Sequence, residues 1–179
     1  MPIDTKKYDS IFSEVSNLHR TNPRILKAIV KVESSFLLRA YRYEPAFYKT
    51  MCAKDPYWIG KDPSVVSASY GLAQIMFTTA WSMGMKPDNW KTLKANEFQA
   101  LAEGLYDPRT SITYESRLIR ALLDSIWAAG IPNTYEHLSA MDCALARYNG
   151  GSWGNPKEDG SLRNQSYVDK VWRAYDEVT

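Results

Sequence analysis

The chain has 179 residues, a length that suits one domain with a sizeable core. Hydrophobic residues make up 45% and charged residues 23%, an ordinary globular composition, and the net charge of +2 is too small to point to nucleic acid. No stretch approaches the roughly 20 apolar residues of a membrane span, so no membrane insertion is expected. Charge is unevenly spread: residues 1–61 hold 11 Lys and Arg against 6 Asp and Glu, and residues 62–179 hold 11 against 14. A basic first third could steer the protein to an anionic polymer or form a solvated helix face.

In chain order, Tyr8, Ile11, Phe12, Val15 and Leu18 recur at helical spacing and predict a first helix. Asn22-Pro23 is a cap followed by an N1 proline and opens a second helix that ends near Glu33. Residues 37–69 are irregular and rich in Tyr, Pro and Asp, which is long for a loop; a small β-hairpin is expected within residues 37–70. A helix is predicted from about Gly71 to Trp81. Asp107-Pro108 is a second cap-plus-proline start. It opens a helix with Leu118, Ile119, Leu122, Leu123, Ile126 and Trp127 at core spacing, closed by Gly130 and Pro132. That helix reads as the hydrophobic centre, with no chemistry assigned to it. Ser139 and Asp142 form a capping-box pattern for a helix ending at Tyr148-Asn149-Gly150-Gly151. Val168, Val171, Trp172 and Tyr175 mark a final amphipathic helix. The whole reads as a mostly α single domain over residues 1–179, expected to be a monomer.

Two cysteines, Cys52 and Cys143, and two histidines, His19 and His137, form no close cluster, so neither a metal nor another cofactor is expected. Two free thiols are favoured over a disulfide. The aromatic share of 13% could line a groove that stacks on flat ligands such as sugar rings, or fill a core. The Met1–Lys7 start carries no apolar run of secretory type. Synthesis in a cytoplasm is therefore expected, and a target outside would require something else to let the protein out.

Glu33 is the candidate for chemistry. It follows Val30 and Ile29 by three and four residues and Leu26 by seven, so a helix puts it on their apolar face. Desolvation there, and the negative end of the helix dipole, both favour the protonated form. A carboxyl protonated near neutral pH can act as a general acid. A snorkelling glutamate at a helix end is the plainer alternative. Gln74, in Ser69-Tyr70-Gly71-Leu72-Ala73-Gln74-Ile75-Met76, offers the donor and acceptor that hydroxyl and acetamido groups need. Tyr148 and Asn149 place a phenol and an amide at a helix end.

These segments, in this order, resemble the catalytic domain of soluble lytic transglycosylases, relatives of goose-type lysozymes. The resemblance rests on Glu33-Ser34-Ser35-Phe36, Gly71-Leu72-Ala73-Gln74-Ile75-Met76, Leu105-Tyr106-Asp107-Pro108 and Arg147-Tyr148-Asn149-Gly150-Gly151, across roughly residues 22–175. It implies a lysozyme-like fold and cleavage of the MurNAc–GlcNAc β-1,4 bond in bacterial peptidoglycan glycan strands. It implies Glu33 as acid and base, Ser69 and Gln74 as groove residues that contact substrate, Tyr148 as the tyrosine aimed at the catalytic carboxyl, and Asn149 as its support. Ala73 replaces the usual Met, and Ser111 stands where Asn is frequent. Val65 and Met76 occupy positions where goose-type lysozymes carry water-holding aspartates, which favours the transglycosylase that leaves 1,6-anhydroMurNAc. Glu44, among aromatics in Arg42-Tyr43-Glu44-Pro45-Ala46-Phe47-Tyr48, is the candidate second carboxylate of a hydrolytic muramidase, with Asp55 and Asp62 behind it. That segment resembles phage-type members; within this resemblance, the lack of a secretory run and of a separate wall-binding module suggests a phage endolysin made in the host cytoplasm and acting on periplasmic peptidoglycan after release. A non-catalytic glycan-binding protein with this fold is the alternative from another class.

Overall fold

A computed structural model describes residues 4–131 and 138–178. Pro132 and His137 lie outside the described residues. Contacts divide the chain into two compact units, one of residue 4 with residues 33–115 and the other of residues 5–32 and 116–178.

In the second unit, helix α1 (Asp9–His19) buries Phe12 and Val15, as its spacing requires. Leu18, expected on the same face, is 72% exposed, and the helix ends one residue later at left-handed Arg20. Helix α2 (Pro23–Ser34) starts where the cap signal puts it: the Asn22 side-chain oxygen accepts from the Arg24 backbone N–H at 2.9 Å. Ile25 to Val30 are all buried, Lys27 included. Lys27 is ion-paired with Asp9 at 2.7 Å, Lys31 pairs with Glu177, and Arg24 donates to the Val178 carbonyl at 2.8 Å. The three basic residues of α2 thus make contacts within this unit, one of them from a buried position.

In the first unit, three short strands, β1 (Tyr41–Tyr43), β2 (Ala68–Tyr70) and β3 (Ile75–Met76), form an antiparallel sheet in that order. Tyr41 faces Tyr70, and Ser69 faces both Arg42 and Met76. The expected hairpin is therefore a β1–β2 pair with a long helical excursion, α3 (Pro45–Thr50) and α4 (Pro63–Val66), between its strands. Asp62 caps α4 by accepting from the Ser64 N–H at 2.8 Å.

The helix predicted from Gly71 to Trp81 does not form over its first half. Gly71–Gln74 is the turn joining β2 to β3, and helix begins only at α5 (Phe77–Ala80), followed by a single π-type turn over Trp81–Met85. Two left-handed residues, Gly71 at φ 73° and Gln74 at φ 48°, rule out helix there. Gly71 is irreplaceable for a second reason. A Cβ on it would lie 2.0 Å from the Leu105 carbonyl oxygen. Trp81 and Phe98 stack at 5.5 Å, Tyr57 stacks on Trp81 at 5.6 Å, and Phe77 packs edge-on to Phe98. Part of the aromatic excess is thus core of this unit.

Helix α6 (Ala95–Glu103) leads to α7 (Pro108–Ala128), capped by the Asp107 carboxylate, which accepts from the Thr110 N–H at 2.8 Å. Ile112, Ile119, Leu123 and Ile126 of α7 are buried, whereas Trp127 is 54% exposed. Helix α8 (Ala140–Gly150) has the expected capping box: the Ser139 hydroxyl accepts from Asp142 N–H and the Asp142 carboxylate from Ser139 N–H, each at 3.0 Å. The other Asp142 oxygen accepts from Trp172 Nε1 at 2.7 Å, which ties α8 to the last helix, α9 (Gln165–Glu177). Cys52 and Cys143 are free and buried, as expected.

Replacing Gly71 by Ala is expected to lower stability by about 2 kcal/mol or more, through the left-handed backbone and the carbonyl clash together. The check is a urea titration. A midpoint within about 0.2 M of the unsubstituted protein would remove the Gly71–Leu105 approach as a constraint.

Candidate active site

Glu33 is the next-to-last residue of α2 and is half-buried. It lies in the final turn, as the sequence predicts, after the buried run of that helix. The chain then turns sharply: Ser35 and Phe36 are both left-handed, at φ 50° and 61°. Such conformations cost free energy in non-glycine residues and persist where the surroundings hold them. Among the described residues four non-glycines have positive φ, and three of them, Ser35, Phe36 and Gln74, fall in the two segments singled out from the sequence.

Gln74 is nearly buried, and its Nε2 donates to the Gly71 carbonyl at 3.1 Å. Its amide thus braces the turn that carries it. Ser69 is buried in the middle strand, and Ala73 is fully buried. The Ala73 N–H donates to the Ser111 hydroxyl at 3.1 Å. Ser111 therefore does for this turn what a hydrogen-bonding side chain at the start of α7 must do. Glu33, Glu44, Ser69 and Gln74 all belong to the first unit.

Tyr148 and Asn149 belong to the second unit, in the last turn of α8. Asn149 accepts from Asn164 Nδ2 at a long 3.4 Å, and the same Nδ2 donates to the Ala146 carbonyl at 2.6 Å. Asn164 is a buried support that the sequence reading did not single out.

Glu44 is 34% exposed and ion-paired with Arg42. Its backbone is fixed by Ser67: its N–H donates to the Ser67 carbonyl at 2.8 Å, and the Ser67 hydroxyl donates to its carbonyl at 2.6 Å. The carboxyl whose titration responds to Glu33 is a different one. Glu115, on α7, is completely buried, and neither of its oxygens has a hydrogen-bond partner among the described residues. Burial holds its carboxyl well above the usual carboxylate range, and the Glu33 charge pushes it further the same way. Sequence reasoning assigned α7 no chemistry and missed Glu115. The signal was present: Glu115 follows Ile112 by three residues and precedes Ile119 by four, the pattern that picks out Glu33.

Among the described residues no group of three or more His, Cys, Asp and Glu side chains could hold a metal ion, and no helix is long and apolar enough to cross a membrane. The family description Transglycosylase SLT domain matches residues 10–167. The chain belongs to that family. Comparison with curated proteins and with solved structures gives no match. Membership supports peptidoglycan lytic transglycosylase activity in general, and the mostly helical fold with its small antiparallel sheet agrees with it.

In this SLT domain the upward shift of Glu115 has a consequence for stability. Its folded pKa lies above its unfolded value, near 4.3 for a model glutamate, so the folded chain keeps a proton that the unfolded chain releases. Its contribution is fully present below the unfolded pKa and is lost as pH rises through the folded pKa, by at most about 1.4 kcal/mol per pH unit. Glu115→Gln, which cannot ionise, is expected to flatten the decline in melting temperature between pH 5 and 8 and to melt higher at pH 8. Parallel melting curves for the two proteins across that range would show that Glu115 ionises in the fold.

Proposed function

We propose that this SLT domain is a lytic transglycosylase that cleaves the MurNAc–GlcNAc β-1,4 bond with Glu33 as its one catalytic carboxyl. The observation that carries the reading is the state of the other two candidates. Glu115 is sealed from solvent, with its carboxyl pushed well above the usual range, and Glu44 is held in an ion pair with Arg42. A hydrolase of the inverting type needs a second carboxylate that can hold a water; Glu115 has no access to solvent and Glu44 is engaged by Arg42. A transglycosylase needs one group that gives a proton and takes one back.

In the proposed reaction Glu33 protonates the glycosidic oxygen as the MurNAc C1–O bond breaks. The MurNAc acetamido oxygen stabilises the developing positive charge at C1. The C6 hydroxyl of the same sugar attacks C1, and its proton passes to the Glu33 carboxylate. The products are a free GlcNAc 4-hydroxyl and a 1,6-anhydroMurNAc end. No water enters, and Glu33 is left protonated for the next cycle. Ser69, Gln74, Tyr148 and Asn149 are proposed as substrate-binding residues on the strength of their motifs. The Arg42–Tyr48 segment, with its resemblance to phage-type members, supports service as an endolysin that reaches periplasmic peptidoglycan after release.

Two measurements test this. Glu33→Gln is expected to reduce turnover of purified peptidoglycan by about a hundredfold or more, with an unchanged far-ultraviolet circular dichroism spectrum. Mass spectrometry of digested muropeptides is expected to give ends one water lighter than reducing ends. Reducing ends as the main product would sink the transglycosylase reading in favour of a muramidase.

A further inference from the structure

Strand β1 is an outer strand of the sheet, and all three of its residues are exposed. Residues directly opposite one another in an antiparallel pair point to the same face. Arg42 stands opposite Ser69, and Ser69 opposite Met76. Arg42 therefore shares a face with Ser69, the residue whose motif marks it as a substrate contact. Tyr41 and Tyr43 alternate to the other face. There Tyr41 lies edge-on to the buried Tyr70, and its hydroxyl donates to the Ser64 carbonyl at 2.8 Å.

The Arg42 guanidinium is held at one edge only. Its Nε is ion-paired with Glu44, and Glu44 is fixed to Ser67 through both its backbone N–H and its carbonyl. An exposed ion pair of this kind adds little stability. Its effect is to aim the fork. With Nε engaged from the side, Nη1 and Nη2 remain at the end, and among the described residues neither has a hydrogen-bond or ion-pair partner. The side chain is 57% exposed. Other cations of this unit lie on rings instead: Arg39 over Tyr106 at 4.6 Å, Lys61 over Phe98 at 4.7 Å and Lys86 over Trp90 at 4.8 Å. Two coplanar N–H donors match the two oxygens of a carboxylate, a fit that a lysine ammonium does not offer.

We propose that Arg42 is a specificity-determining residue of this domain: its Nη1 and Nη2 bind a carboxylate on the lactyl arm of MurNAc, with Glu44 holding the guanidinium in place. The inference rests on the reading of the chain as a peptidoglycan-cleaving enzyme with Ser69 at its groove. The lactyl arm carries either a stem peptide with free carboxylates or, where the peptide has been removed, the lactyl carboxylate itself. GlcNAc carries no such group. A carboxylate contact therefore selects which sugar of the alternating strand lies beside β1, and so sets the register of cleavage. It also gives the Glu44 carboxylate a task in binding, apart from bond breaking.

Steady-state kinetics on soluble peptidoglycan strands, intact and with their carboxyls capped as methylamides, read the contact. On intact strands Arg42→Ala is expected to raise KM about tenfold with kcat within about twofold, the pattern of a group that binds ground and transition state alike. Arg42→Lys, which keeps the charge without the fork, is expected to fall between. On capped strands the unsubstituted protein is expected to lose as much as Arg42→Ala loses on intact ones, and the three proteins to agree within about twofold. Strands stripped of their stem peptides by an amidase identify the source. A difference between the unsubstituted protein and Arg42→Ala that persists there assigns the lactyl carboxylate, and one that vanishes assigns the stem peptide. An Arg42→Ala protein with unaltered KM on intact strands overturns the proposal. So does one impaired equally on intact and capped strands, since the loss would then be structural. If Arg42→Ala does not fold, Arg42→Lys and the effect of capping on the unsubstituted protein decide. A Glu33→Gln protein that still degrades peptidoglycan sinks the assignment of Glu33 and leaves the Arg42 comparison standing. With Glu33→Gln inactive, indifference to both Arg42 and capping sinks only the carboxylate contact.

Discussion

The approach of Gly71 to the Leu105 carbonyl leaves no space for a side chain, and the arrangement of the first unit follows from it. With that contact made, the turn from β2 to β3 is fixed, and the Ala73 N–H points to the start of α7, where Ser111 accepts it. Gln74 is driven into the left-handed region and closes the turn with its own side chain on the Gly71 carbonyl. Asp107-Pro108 starts α7 two residues after Leu105, so the same contact sets where that helix begins. Four residues after Ser111 on that helix is Glu115. The backbone contact and the buried carboxyl therefore belong to one construction.

Three glutamates of this unit show how surroundings assign different chemistry to one side chain. Glu33 ends a helix and keeps access to solvent. Glu44 precedes a helix and faces a guanidinium. Glu115 lies mid-helix with no polar contact among the described residues. One is half-buried at a helix end, one is ion-paired at the surface, and burial raises the third well above the usual carboxylate range. This separation of environments is the usual route by which several carboxyls in one protein come to hold different protonation states at one pH.

Much of the helical frame was legible because its signals are local. Asn22-Pro23, Asp107-Pro108 and Ser139 with Asp142 each start the helix they predict, since a cap needs only neighbouring residues. The Gly71–Trp81 prediction failed because the decisive contact, with Leu105, comes from more than thirty residues away. The burial of Lys27 was not legible for a like reason: its partner Asp9 comes from the preceding helix. Leu18 and Trp127 fit the period of their helices but sit near the ends, where the core stops. Of the candidate site, Glu33 could be singled out by its apolar neighbours. Glu115 met the same criterion and was passed over, because an unbroken core pattern draws attention to its hydrophobic members.

The two cysteines give the molecule a property unrelated to catalysis. Cys52 lies in one compact unit and Cys143 in the other, both sealed from solvent. Burial, with the nearby Asp55 and Asp142 charges respectively, raises both thiols above their ordinary range, so neither reacts while its surroundings stay closed. Thiol-alkylating reagents can then reach each only when its own unit opens. The chain carries one built-in clock per unit, and the two labelling rates, resolved by peptide mapping, would time the opening of each half independently.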